Sequence, residues 1–346
     1  MRMTQRNWRS LTGCTAVLAA GVLLASCGNK GGDSVTPAGG TGTGTSTGTS
    51  TTPAAKDITV GFSQIGAESA WRTAETQSIK DEAKKRGVNL QFSDAQGKQE
   101  NQIKAIRSFV AQGVDVIALA PVVATGWEPV LREAKAAKIP VILTDRSVDV
   151  SDPSLYATFI GSDFVEEGRR AGRFMAKDTG GKATIVELQG TPGAAPAIDR
   201  QKGFAEILKQ NPGMKIIKSQ SGDFSRSKGK EVMESFLKSP EGKSITALYS
   251  HNDDMAMGAI QAIEESGRKS GTDIKVVSVD GIRDALQALV DKKNNCVVEC
   301  NPLLGPDLFD AAAKLKAGET LPKHIAPKET VFDQTNAKAA LPNRKY

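Results

Sequence analysis

Cysteine and histidine are scarce, at four and two in 346 residues. That is too few for a disulfide scaffold or a Cys/His zinc cluster. Aromatic residues make up only 5%, which argues against an aromatic-rich β-sandwich. Charge of one sign is in little excess. The formal net charge is +6, and Arg2, Arg6 and Arg9 all precede the first acid of the chain. The balance left once that segment is set aside does not argue for nucleic acid. Neither GxGxxG nor GxxxxGK[ST] occurs, so the loop holding Gly190 and Gly193 does not read as a nucleotide phosphate cradle. What is present is 39% hydrophobic, 24% charged and rich in glycine, with 34. Such a mix excludes a wholly disordered or polytopic membrane chain and suits an α/β protein of about two domains.

Residues 1–26 read as a signal peptide. Three arginines form a basic start, and the stretch from Cys14 to Ser26 is apolar but too short to span a bilayer comfortably. It ends Leu24-Ala25-Ser26-Cys27, which resembles the lipobox of bacterial lipoproteins, where cleavage leaves a lipid on the cysteine. Cys27 is therefore the expected lipidation site, by the general secretory route, since the leading segment has no paired arginines. Residues 28–56 hold eight Gly and eight Thr and little to bury. Residues 27–56 are read as a lipidated cysteine and a disordered tether reaching roughly 30 Å.

From residue 57 onward, apolar runs of strand length alternate with amphipathic helical stretches. Strands are expected near 58–63, 88–93, 115–120, 140–144, 156–161, 183–188, 215–220, 245–250, 274–280 and 296–300. Helices are expected near 70–86, 99–112, 126–138, 163–178, 197–210, 226–238, 253–267, 282–291 and 303–317. This alternation predicts parallel sheets covered by helices on both faces. Gly87 and Gly113 end two helices just before a strand, as C-cap glycines do. One sheet of ten strands would be very wide, so two lobes breaking near Gly161 are expected.

In open α/β sheets, ligands lie outside the carboxyl ends of the strands. There the sequence places Glu68, Trp71 and Arg72, then Asp145-Arg146, Asp199-Arg200, Asp223-Phe224, the run His251-Asn252-Asp253-Asp254, and Asp280. Carboxylates, guanidinium groups and an amide suit a polyhydroxylated neutral ligand, whose hydroxyls donate and accept at once. Aromatic planes such as Trp71 and Phe224 suit the C–H faces of a sugar ring. Asp199, Asp253 and Asp254 stand where helix N-caps stand and are read as caps. His251 reads as a satisfied polar residue and Trp127 as packing. Cys296 and Cys300 lie four residues apart on an expected strand, roughly 13 Å between Cα atoms. A disulfide needs less than about 7 Å, so two free thiols are expected.

The blocks 63-SQIGAESAWRTAE, 94-DAQGKQENQIKAIRSFVAQGVD, 145-DR, 187-ELQGTPGA, 199-DRQKGF, 222-GDFSRSKGKEVM, 251-HNDDMAMGA and 280-DG resemble, in order, the type I sugar-binding proteins of bacterial ABC importers. Several look especially similar to the galactofuranose-binding branch. The resemblance implies two Rossmann-like lobes with parallel sheets joined by a three-segment hinge crossing near 160, 300 and 326. The first lobe would be 57–160 plus 301–326, the second 161–300 plus 327–346. It also implies a ligand set of Glu68, Trp71, Arg72, Asp145, Arg146, Arg200, Phe224, Asn252 and Asp280, with Glu299 a departure from the ribose-binding pattern. The implied partners are a monosaccharide and the importer's permease, with no metal, cofactor or nucleic acid, in a monomer held to a membrane by its lipid.

Three other functions compete with this reading, the first of them on the same two-lobed body. A sugar-responsive transcription regulator needs an N-terminal helix-turn-helix, where this chain has a signal segment and tether. A glycoside-processing enzyme could use Asp145 and Asp280, but arginines facing both are expected to lower their pKa and so suit binding. A receptor for chemotaxis or a sensor kinase would use the same ligand chemistry.

Overall fold

The structure is a computed structural model and describes residues 58–346. The expected signal segment, Cys14, Cys27 and the tether lie outside the described residues. The chain runs β1 (Thr59–Gln64), α1 (Ala70–Arg86), β2 (Asn89–Asp94), α2 (Gln99–Gln112), β3 (Val116–Leu119), α3 (Glu128–Ala136), β4 (Val141–Thr144) and β5 (Thr158–Ile160). It continues through α4 (Phe164–Asp178), β6 (Ala183–Gln189), α5 (Ala195–Gln210), β7 (Met214–Ser221), α6 (Arg226–Lys238), β8 (Ala247–Ser250) and α7 (Asp253–Glu265). Then follow β9 (Lys275–Asp280), α8 (Arg283–Val290), β10 (Cys296–Glu299), α9 (Gly305–Lys316), β11 (His324–Ile325), β12 (Val331–Asp333) and α10 (Ala337–Ala340).

Two six-stranded sheets result, ordered β11-β5-β4-β3-β1-β2 and β12-β10-β9-β8-β6-β7. Every neighbouring pair is parallel except β10 with β12. The central strands β3, β4, β8 and β10 are buried along their whole length, which is why their sequences are unbroken apolar runs. The edge strands β2 and β7 alternate instead. Helices cover both faces of each sheet, and four apolar clusters, two per sheet, fill the layers. Trp127 is fully buried in one of them, with its indole N–H donating to the Val123 carbonyl at 2.6 Å, so it packs as expected.

The chain leaves the first sheet after β5 and returns after β10, where α9 packs on α1. At Gly305 a side chain would come within 2.4 Å of the Ser78 carbonyl, so only glycine allows that approach. β11 joins the first sheet and β12 the second, giving a third passage. These two strands, of two and three residues, had no counterpart in the sequence reading because so short a run shows no period. α5 begins at Ala195 with Pro196 in its first turn, so Asp199 lies inside the helix and caps nothing. Cys296 and Cys300 are unpaired and buried, and burial pushes both thiols well up.

Candidate functional site

In each sheet the chain winds outward in both directions from its first strand, so loops diverge at the carboxyl ends of β1 and β6 and leave a crevice. Glu68, Trp71, Arg72, Asp145, Arg146, Arg200, Phe224, Asn252 and Asp280 all surround one cavity there, with an empty volume of about 280 Å³. Ser69, Pro196 and Cys300 complete it.

The wall on the first sheet is a grid of charges. Ser69 accepts a hydrogen bond from the Arg72 backbone and starts α1, which fixes Trp71 and Arg72 in the first turn. The Arg72 guanidinium donates to Glu68 at 3.2 Å, to Asp145 at 2.5 Å and to Glu75. Glu68, Arg72 and Glu75 follow a helical spacing of four and three, so Glu75 was open to sequence reasoning but was not found by it. Arg146 donates to Glu68 at 3.3 Å and to the Val122 carbonyl at 3.1 Å, while its Nε makes no hydrogen bond among the described residues and lies 3.5 Å from Asp145. Burial, together with repulsion from Arg72, brings Arg146 down to about 10 against the pull of Glu68 and Asp145. Burial would raise Glu68, but the two guanidinium groups hold it below the usual carboxylate range. The Trp71 indole donates to the Cys300 carbonyl at 2.6 Å, and Arg72 lies 4.7 Å over its ring.

On the second sheet the pairing is sparser. Arg200 donates to Glu167 at 2.7 Å and to the His251 carbonyl at 2.5 Å, but its nearest approach to Asp280 is 3.6 Å. The Asp280 carboxylate accepts no hydrogen bond among the described residues. Burial lifts it well above the usual range, and Asp253, Glu167 and Asp254 add to the lift, outweighing Arg200. The expected lowering of Asp280 by an arginine is thus reversed. Glu167, which orients Arg200, comes from α4 and carried no sequence signal.

Backbone strain gathers at this crevice. Of seven non-glycine residues with left-handed φ among the described residues, Asp145, Asp223, Phe224 and Asp280 stand at or just beyond strand ends beside it. The Phe224 ring fits because residue 190 is glycine: a Cβ there would lie 1.9 Å from the ring. Across the crevice, Arg146 lies 5.2 Å over Phe224.

The run after β8 divides its work differently from the expectation. Asn252 is the N-cap of α7, accepting from the Met255 N–H at 3.0 Å and donating to the Phe224 carbonyl at 3.1 Å. It lines the cavity, yet both ends of its amide already hold protein. Asp253 and Asp254 are not the caps. Asp253 accepts from Gly281 and Ile282 N–H at 2.6 and 2.9 Å, which fixes the loop at Asp280, and burial lifts it to about 7. Asp254 reaches across the crevice and accepts from the Ala70 N–H at 2.8 Å, at the N-terminus of α1. A second link crosses the crevice from Ala124 N–H to the Gly193 carbonyl, at 2.8 Å.

His251 is buried against Glu187 at 3.2 Å, a satisfied polar residue as expected. Glu299 stays out of the cavity and pairs with Arg344 at 2.6 Å. Where the three chain passages meet, Glu329 accepts from Ser162 and from the Asn301 N–H, joining all three. Burial and the nearby Glu167 raise Glu329 to about 7.

A family model described as periplasmic binding protein domain matches residues 60–320. The chain is 55% identical over 294 residues to the galactofuranose-binding protein YtfQ of Escherichia coli (strain K12), covering 84% of this chain and 92% of that one. A crystal structure from Mycobacterium smegmatis in complex with β-D-fucofuranose is 58% identical, with a TM-score of 0.81, over 84% of this chain and 95% of that one. The periplasmic binding component of an arabinose ABC transporter from Shewanella sp. ANA-3, bound to α- and β-L-arabinofuranose, is 53% identical. Its TM-score is 0.81, over 83% and 96% of the two chains.

Proposed function

The chain belongs to the periplasmic binding protein family, with its type I α/β fold, and from that premise we propose that it captures a monosaccharide in furanose form between two lobes and delivers it to the permease of an ABC importer. It is a solute-binding protein rather than an enzyme, and it works outside the cytoplasm. The observation that carries the reading is the cavity, where hydrogen-bonding groups from both sheets converge beside two aromatic rings. Named relatives bind galactofuranose, L-arabinofuranose and β-D-fucofuranose, which supports a five-membered ring here.

In this account Arg146, Asp145 and Glu68 hold sugar hydroxyls from one side. Asp280 and Arg200 hold them from the other, while Trp71 and Phe224 pack on the ring. Arg72 positions the acids, and Asn252 shapes the wall. The first lobe comprises 57–160 plus 301–326 and the second 161–300 plus 327–346. A ligand closes them only by binding the closed form better than the open one. Removal of residues 1–26 leaves a lipid on Cys27, and 27–56 tether a monomeric body to the membrane. The lipobox and the Gly/Thr composition support this anchoring.

Thermal-shift measurements of the purified protein against D-galactose, L-arabinose and D-fucose test the ligand class. Each is expected to raise Tm, and no rise with any of them would contradict it. A Cys27→Ala variant should lose membrane partitioning while keeping sugar binding; unchanged partitioning would remove the anchor.

A further inference from the structure

Beside the cavity already described lies a second hollow, with an empty volume of about 820 Å³, that shares Glu68 and Arg146 with it as a common wall. Gly66 and Asp94 line it from the first lobe and Asp223 from the second. Three features mark it as more than a mouth. First, the shared wall has unused hydrogen-bonding capacity, since Arg146 Nε and Glu68 Oε2 are buried without a hydrogen bond among the described residues, Arg146 Nε having only the Asp145 carboxylate at 3.5 Å. Second, a methyl group placed on Gly66 would stand 3.8 Å from Glu68 Oε2 and 3.9 Å from Asp94 Oδ1, so two acceptor oxygens flank one open point. Third, Gln96 (φ 52°) and Asp223 (φ 53°) face the hollow from opposite lobes in left-handed conformations that side chains avoid.

We propose that this hollow is a subsite for the hydroxylated exocyclic chain of the bound sugar, the ring staying in the inner cavity and the chain reaching over the hydrogen-bonded Glu68–Arg146 pair that separates the two. The inference rests on the reading of the inner cavity as a furanose site. Vicinal hydroxyls on such a chain are donors that Glu68 Oε2 and Asp94 Oδ1 can accept, and acceptors for Arg146 Nε. As furanoses, D-galactose, D-fucose and L-arabinose have the same configuration around the ring. Beyond C4 they differ: a glycol in galactose, a hydroxyethyl group in fucose, a single hydroxymethyl in arabinose. The hollow therefore separates sugars that the inner cavity cannot tell apart.

Calorimetric titration of these three sugars into the wild type, Gly66→Val and Asp94→Asn tests this. Taking the ratio of variant to wild type for each sugar cancels its small furanose fraction. Gly66 has ordinary φ, and the nearest atom to an added Cβ is 3.6 Å away, so valine intrudes into the hollow beside Glu68 and Asp94 without straining the loop. Gly66→Val should weaken D-galactose and D-fucose about tenfold or more while leaving L-arabinose within about twofold. Asp94→Asn keeps an acceptor for the Gln96 N–H and should weaken D-galactose by about threefold, with L-arabinose unchanged. Equal losses for all three sugars, or no loss in either variant, would overturn the subsite. A wild type that binds none of the three would instead overturn the furanose reading, and the subsite with it.

Discussion

The two walls of the cavity hold similar residues in opposite states. On the first lobe, Arg72 ties Glu68, Glu75 and Asp145 together within one buried grid. On the second, Arg200 is committed to Glu167 and a backbone carbonyl, and Asp280 has no hydrogen bond from the described residues. A buried grid resists rearrangement because each member compensates its neighbours, and losing one leaves charges unpaired. A carboxylate with unused acceptor sites can still accept hydrogen bonds. In the proposed reading the first wall is a preformed template, and the second supplies the contact that makes the closed form worth adopting.

Breaking the template should have the largest effect. Arg72→Ala takes the shared cation from three buried carboxylates, leaving Arg146 alone against Glu68 and Asp145, and should lower unfolding stability by about 3–5 kcal/mol by urea denaturation, besides abolishing sugar binding. A stability loss no larger than that of a surface substitution would show that the grid is not structural. The bond from Asp254 to Ala70 tests the comparison from outside the sugar's reach. Asp254→Ala removes a carboxylate from the N-terminus of α1 only in the closed form, so affinity should fall by about 1 kcal/mol with little change in stability. Asn252→Ala should show the reverse emphasis, a stability loss of about 1 kcal/mol from the lost cap. Matching profiles for the two variants would dissolve that distinction.

Proton linkage gives a smaller signal. Glu329 and Asp253 each sit at about 7 in the folded protein, above their unfolded values near 4. The folded state therefore binds the extra protons, and the two groups make stability fall as pH rises from about 4 to about 7. Glu187 works oppositely. His251 and Ser219 hold it at about 2 despite burial, so its contribution is present above about 4 and lost as pH falls through about 2. Denaturation at pH 5 and pH 7 should show a shallower fall for Glu329→Gln than for the wild type. Equal slopes would mean that Glu329 does not hold a proton at the meeting of the three passages.

Much of the fold was legible because buried parallel strands are continuous apolar runs and their helices end in glycine, as at Gly87 and Gly113. β11 and β12 were not, being shorter than one period of any pattern. The candidate site residues stand at the carboxyl ends of strands or in the loops and helices that come next, where chain order alone locates them. Their states were harder to read, because those depend on groups distant in sequence. Asp280 is raised partly by Asp253 and Glu167, which no local pattern connects to it. The cap of α7 was misassigned for a smaller reason: Asn252, Asp253 and Asp254 are all good caps, and a shift of one residue in the helix start decides among them.

The most direct test of the contrast between the walls is calorimetric titration of D-galactose into Asp280→Ala, with its Tm recorded beside the wild type. Removing a carboxylate that accepts no hydrogen bond from the described residues and only approaches Arg200 at 3.6 Å should leave Tm unchanged or higher, while sugar affinity falls by more than about 2 kcal/mol. Unchanged affinity, or a drop in Tm comparable to that of Arg72→Ala, would contradict the account.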